Sequence, residues 1–150
     1  MENKIELKDL WPVIEEQINS GKTAIINPGG VSMLPLIKAG RDSVVLKKNN
    51  TKLKKYDVAL YRRKNGQFVL HRVVGFYNDE YVMCGDNQFA HEKNISHDAV
   101  LAVMTEFIRK GKRIKTENIG YKLYSVLIVF FQNINGLLRR VWSWIKRKLR

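Results

Sequence analysis

Val58-Ala59-Leu60-Tyr61-Arg62, then Asn65-Gly66, then Gln67-Phe68-Val69-Leu70-His71-Arg72-Val73-Val74-Gly75-Phe76, read together as two strands joined by a tight turn. Asn-Gly between two β-prone runs is the strongest short-range hairpin signal, because both residues tolerate the positive φ that a right-twisted hairpin requires. Side chains alternate across a strand. Val69, His71 and Val73 therefore share one face of the second run, and Phe68, Leu70, Arg72 and Val74 the other. Both faces are largely apolar, which predicts a strand covered on both sides with His71 in a mostly covered position.

Outward from this hairpin the same grammar continues. Thr23–Ile26, Asp42–Lys48, Tyr81–Met83 and Val100–Ile108 are further β-prone runs, and Lys110-Gly111-Lys112 turns the last of them toward Ile114. Asn49–Lys55 is a polar basic connector, Gln88–Asp98 a polar loop, and no internal repeat is present. Before the strands, Leu7, Leu10, Trp11, Ile14 and Ile18 recur at spacings of three and four, predicting a short helix capped at Asp9, with Pro12 in its first turn and Gly21 as its stop. After them, Leu127, Phe131, Ile134, Leu138, Val141, Ile145 and Leu149 predict a helix about 25 to 30 residues long, with Gln132, Asn135, Arg139, Ser143, Lys146 and Arg150 on its opposite face. The expected fold is mainly β with a short N-terminal helix and a long C-terminal amphipathic helix. Its expected divisions are 1–22, 23–116 and 117–150.

Composition bounds the function. The chain has 150 residues, one-domain length, and a formal charge of +13, of which residues 121–150 supply +7 with no acid. That asymmetry gives the tail an anionic partner, a membrane surface before nucleic acid. Trp142 and Trp144 among Arg139, Arg140, Lys146 and Arg147 favour an interfacial membrane helix over a helix that only covers the core. Gln132, Asn133 and Asn135 interrupt its apolar run, so docking flat is expected over spanning, with those amides at the headgroups. Met1–Asp9 has no apolar run resembling an export signal, so the expected location is the cytoplasmic face of a membrane, a spanning tail being the alternative. The single cysteine, Cys84, excludes a disulfide framework and a cysteine-rich zinc site. No metal or cofactor is called for.

Gly29-Gly30-Val31-Ser32-Met33-Leu34-Pro35 delivers a serine into a glycine-rich turn. A serine hydroxyl becomes a nucleophile only with a base to take its proton and donors for the oxyanion that follows. Three histidines could be that base. His91 and His97 fall in the polar Gln88–Asp98 loop, where solvated side chains are usual, whereas His71 stands between valines and would be neutral, as a general base requires. Asp86, in the turn after an apolar run, could reach an imidazole or could be an ordinary turn aspartate.

Ser32-Met33-Leu34-Pro35, Tyr56-Asp57-Val58-Ala59-Leu60-Tyr61, Leu70-His71-Arg72-Val73-Val74 and Cys84-Gly85-Asp86-Asn87 occur in the order seen in type I signal peptidases. The chain resembles that family over Thr23–Lys115, in its endoplasmic-reticulum and archaeal form, where a histidine replaces the lysine base of bacterial leader peptidases and LexA-type proteins. The resemblance implies a β-rich signal-peptidase fold, related to the LexA peptidase fold, and serine endopeptidase activity on a precursor peptide bound as an added strand. It implies Ser32 as nucleophile with its backbone N–H as oxyanion donor, His71 as general base and Asp86 as the acidic partner. A second acid six positions after that aspartate falls on Glu92, a possible auxiliary. In place of the family's amino-terminal anchor the expectation is the helix around Trp11 together with the basic C-terminal helix, and Gly40-Arg41-Asp42 stands where many members have glycine followed directly by aspartate. The competing reading is a non-catalytic module of the same fold that binds peptide or membrane. A LexA-type self-cleaving regulator lacks its lysine here, and nucleic-acid binding rests on the basic tail alone.

Overall fold

The structure, a computed structural model, describes residues 7–148 and the side chains of residues 7–136. Helix α1 (Leu7–Asn19) is followed by eight strands: β1 (Ala24–Ile26), β2 (Asp42–Lys47), β3 (Val58–Arg62), β4 (Phe68–Tyr77), β5 (Glu80–Cys84), β6 (Glu92–Ile95), β7 (Val100–Arg109) and β8 (Lys112–Lys115). Helix α2 (Ile119–Lys148) closes the described chain. The protein is thus mainly an antiparallel sheet with a helix at each end. Among the described residues no helix is long and apolar enough to cross a membrane.

Strand order is β1-β2-β7-β3-β4-β5-β6, with β8 also on β7. Strand β7 is the hub: β2 pairs along one edge, while β3 and β8 divide the other, β3 at Val100–Val103 and β8 at Glu106–Arg109. Alternation sorts the side chains as the hairpin predicted. Val58, Leu60 and Leu70 enter a core shared with Trp11, Ile14 and Ile18 of α1, Met33, Leu36 and Ile37 of the serine loop, and Tyr121 of α2. Ala59, Tyr61, Val69 and Val73 enter a second core with Tyr81, Met83 and Ile95 on the opposite side. Both helices join these cores rather than standing apart from the strands.

Several local expectations change. Asp9 lies in the first turn of α1 rather than capping it, and Leu10 is left exposed. Gly21 ends α1 as expected: its φ of +83° lets Gly21 N–H bond to Ile18 O and Lys22 N–H to Gln17 O, satisfying two of the helix's orphan carbonyls. The loop expected at Gln88–Asp98 contains β6, an edge strand on β5. Only Ile95 of its four residues is buried, so no apolar alternation announces it. His97 is not freely solvated: its Nδ1 lies 2.7 Å from Tyr81 Oη and the two rings meet edge to face.

The largest departure is α2. Its inward stripe is Tyr121, Ser125, Val129 and Gln132, and Gln132, expected on the solvent face, is 1% exposed. Of the expected apolar face, Leu127, Phe131 and Ile134 point outward, and the side chains of Leu138, Val141, Ile145 and Leu149 lie outside the described residues. The reason is polar. Arg72 and Asp86 form a fully buried ion pair of 2.7 Å beneath the helix. Arg72 Nη1 donates to Tyr121 Oη and Ser125 Oγ, Tyr124 Oη donates to Asp86, and Gln132 Nε2 donates to the carbonyls of Gly85, Asp86 and Gln88. Buried polar groups left unpaired cost more than an apolar face left wet, so the hydrogen-bonding stripe turns inward. The side chains of Trp142, Trp144, Arg139, Arg140, Lys146 and Arg147 lie outside the described residues.

Replacing Arg72 by methionine strands the Asp86 carboxylate. Breaking such a pair costs about 3–5 kcal/mol. At this chain length that corresponds to a fall in Tm on the order of 10 °C. An unchanged thermal melt would show that α2 is held by something else.

Candidate active site

The serine loop between β1 and β2 is held from below by the turn after β5. A Cβ on Gly85 would lie 2.6 Å from the Ser32 carbonyl oxygen and 3.0 Å from Ser32 Cβ, so only glycine permits this approach. Asn87 N–H donates to Ser32 O at 2.8 Å, and Asn87 Nδ2 to Val31 O at 3.2 Å. The Gly85-Asp86-Asn87 segment is thereby a cradle that fixes the serine backbone. Ser32 is half-buried, and among the described residues its Oγ and its N–H have no hydrogen-bond partner.

Ser32 and His71 line one cavity of about 510 Å3, walled by Pro28–Met33 on one side and Gln67–His71 on the other. Strand β5 pairs with β4 only from Arg72 onward. The edge of β4 from Phe68 to His71 that faces away from β3 is consequently unpaired among the described residues, and it borders this cavity. Leu7, Met33, Ile37 and Phe68 make part of the lining apolar, and Arg63, Gln67 and Gln88 supply polar groups.

The imidazole is oriented by a chain the sequence did not reveal. His71 Nδ1 lies 3.1 Å from Tyr61 Oη, whose proton is donated to Glu92 Oε2 at 2.8 Å. Arg63 closes the chain with three hydrogen bonds to the Glu92 carboxylate. These bonds, opposed by partial burial, hold the Glu92 carboxyl below its usual range and keep it an acceptor. A phenol has one proton. Tyr61 gives it to Glu92, so toward His71 it accepts, and Nδ1 carries the imidazole hydrogen. Nε2 is then the bare nitrogen; among the described residues it has no hydrogen-bond partner and is not a sealed atom. Burial, and after it the Arg63 charge, lower the His71 pKa to about 4, against the pull of Glu92 and Asp86.

The expected role of Asp86 is corrected by this geometry. Both its oxygens are taken by Arg72, at 2.8 and 2.7 Å, and by Tyr124, so it reaches His71 through its field rather than by a hydrogen bond. Adjacent residues of a strand face opposite sides, and Asp86 lies on the side of Arg72. Glu92, a possible auxiliary in the sequence, is the acid connected to His71, with Tyr61 between them. His91 and Glu92 line a neighbouring cavity with Phe89. Among the described residues no three His, Cys, Asp or Glu side chains cluster as a metal site. Strand alternation was the signal available for Tyr61, since it pairs opposite Val69, two residues from His71 on the same face.

Gly85→Ala should displace the Ser32 carbonyl, because the obstructing atom is backbone and cannot rotate away. A lowered Tm together with loss of labelling at Ser32 by a serine-directed fluorophosphonate is the expected result. Wild-type labelling in the alanine variant would show that the cradle yields at no cost.

No protein-family model matches the chain, and no curated protein matches it at a significant level.

Proposed function

We propose that this protein is a serine endopeptidase of the type I signal-peptidase kind, cutting a leader or signal segment from a precursor peptide. The observation that carries the reading is a neutral imidazole, tied at Nδ1 and bare at Nε2, lining the same cavity as an unengaged serine hydroxyl. Nε2 accepts the Ser32 proton as Oγ attacks the substrate carbonyl, and the oxyanion so formed is met by the free Ser32 N–H. The imidazolium returns its proton to the leaving amine as the C–N bond breaks. Water, deprotonated by the same Nε2, then hydrolyses the acyl-enzyme. Glu92, acting through Tyr61, stabilises the transient imidazolium as a positioning group. The open edge of β4 offers an extended substrate backbone its hydrogen bonds.

A second reading, a binding module that no longer cleaves, is favoured by one observation: no hydrogen bond joins Ser32 Oγ to His71 among the described residues. Such bonds commonly tighten only when substrate closes the site. Mass spectrometry of candidate precursor peptides incubated with the protein and with Ser32→Ala separates the two. Cleavage absent from both, with no fluorophosphonate labelling, leaves the binding module.

Ser32→Ala and His71→Ala are each expected to abolish cleavage with the sheet intact, since nucleophile and base act as a unit. Tyr61→Phe should lower kcat by about 10- to 100-fold with little change in KM, by releasing the Nδ1 hydrogen from its acceptor. Equal rates for Tyr61→Phe and the parent would remove Tyr61 from the site.

The pH dependence has a definite sign. With its pKa at about 4, His71 is neutral over most of the working range, so kcat/KM should rise through about pH 4 and then stay level, with no step near 6.5 or in the alkaline range. The folded imidazole binds protons less readily than the unfolded one. Its contribution to stability is therefore complete above about 6.5 and is lost as pH falls toward 4. A rate that climbs only above pH 8 would indicate another base.

A further inference from the structure

We infer that the outward face of α2 is a docking surface for an anionic lipid bilayer, with the helix lying in the plane of the interface. The inference stands apart from the peptidase reading. Leu123, Val126, Leu127, Phe130, Phe131 and Ile134 are 36–59% exposed. At 3.6 residues per turn they fall within an arc of about 140°. Tyr121, Ser125, Val129 and Gln132 occupy the opposite arc and are committed to the body, so the apolar face cannot turn inward without breaking the bonds to Arg72 and the Gly85–Gln88 carbonyls. A contiguous face of large apolar side chains on a surface helix marks an interaction site.

Charge selects the occupant. After Glu117 the sequence has no acid, and it carries Lys122, Arg139, Arg140, Lys146, Arg147, Lys148 and Arg150. A second copy packed face to face along this helix would bring like charges together, whereas an anionic leaflet complements them, about fivefold in affinity for each basic residue near the surface. Trp142 and Trp144 in the same segment are of the type enriched at membrane interfaces. The flat orientation follows from the dock: one side of the helix is fixed to the protein, so only its other side is free to meet acyl chains. It also corrects the expected position of Gln132, whose amide is bonded within the protein rather than placed at the headgroups.

The test is cosedimentation of the full-length protein with vesicles of phosphatidylcholine mixed with phosphatidylserine and with vesicles of phosphatidylcholine alone. Partition onto the mixed vesicles, weakened by salt, is expected. The double variant Leu127→Gln/Phe131→Gln should lower it by about tenfold or more. Val13→Gln, which alters a still more exposed apolar side chain on α1, should leave it unchanged. Both Leu127 and Phe131 are exposed, so the double variant should keep its Tm, and the melt verifies this. Absence of partition onto the mixed vesicles, or equal partition of parent and double variant, overturns the inference. So does a dimer in sedimentation equilibrium that the double variant abolishes without any lipid binding, which would make a second copy the occupant. A salt-sensitive duplex shift in place of lipid binding would assign the charge to nucleic acid.

Discussion

The Arg72–Asp86 ion pair is the constraint on which the other arrangements depend. Both side chains are fully sealed from solvent. Burial opposes the guanidinium charge, but the hydrogen bonds and field of Asp86 more than offset it and raise the Arg72 pKa. An isolated buried charge of this kind costs several kcal/mol, and the pair is tolerable only because the remaining donors and acceptors are filled. Arg72 reaches Tyr56 O, Tyr121 Oη and Ser125 Oγ, and Asp86 accepts from Tyr124. Satisfying one pair thus ties together β4, the turn after β5, the segment before β3 and helix α2. Tyr56 has φ of +81°, an unfavourable value for a bulky side chain, and its carbonyl is one of the Arg72 acceptors. Strain at that position is offset by the same network.

The geometry of the candidate site is a consequence one residue away. Strand alternation sends Arg72 into the scaffold and His71 into the cavity, and the turn that carries Asp86 also carries Gly85 and Asn87 to the serine loop. The two acids divide the work by position. Asp86 fixes the frame that sets the place of Ser32, and Glu92 connects, through Tyr61, to the group that would take its proton. Were Asp86 turned to His71, Arg72 would be left without its counter-charge in the core, a cost larger than the gain from one hydrogen bond to an imidazole.

Much of this was legible in the sequence where patterns are local. The hairpin around Asn65-Gly66, the strand alternation that covers His71, the Gly21 stop and the length of α2 all follow from spacing alone. The structure places Ser32 and His71 along one cavity. What was not legible depends on long-range polar pairing. Asp86 follows an apolar strand in a glycine turn, which suits a partner for either His71 or Arg72, and nothing local shows that a buried arginine needs it. Glu92 lies in a strand without apolar alternation, and Tyr61 read simply as a strand aromatic. Periodicity located both faces of α2 but not which one meets the body, since it weighs apolar area and ignores the demands of buried charge.

Magnitudes explain why the polar stripe prevails there. Burying Leu127, Phe130, Phe131 and Ile134 against the sheet would contribute about 1.5–3 kcal/mol per side chain. That gain is available to an apolar platform, but the platform beneath α2 consists of a guanidinium, a carboxylate and the carbonyls of Gly85, Asp86 and Gln88. Covering those groups with leucine and phenylalanine would leave several buried donors and acceptors unpaired at about 1–3 kcal/mol each, more for the charged ones. It would also seal the ion pair without its outer hydrogen bonds. Those unpaired groups are the former partners of Tyr121, Tyr124, Ser125 and Gln132, so the loss is of the same order as the apolar gain, and the larger cost at the charged groups decides between the two faces. A helix whose body-facing side is fixed by hydrogen bonds keeps its apolar side free, so the polarity of the scaffold under the Ser32–His71 cavity and the exposure of the α2 face have one physical cause.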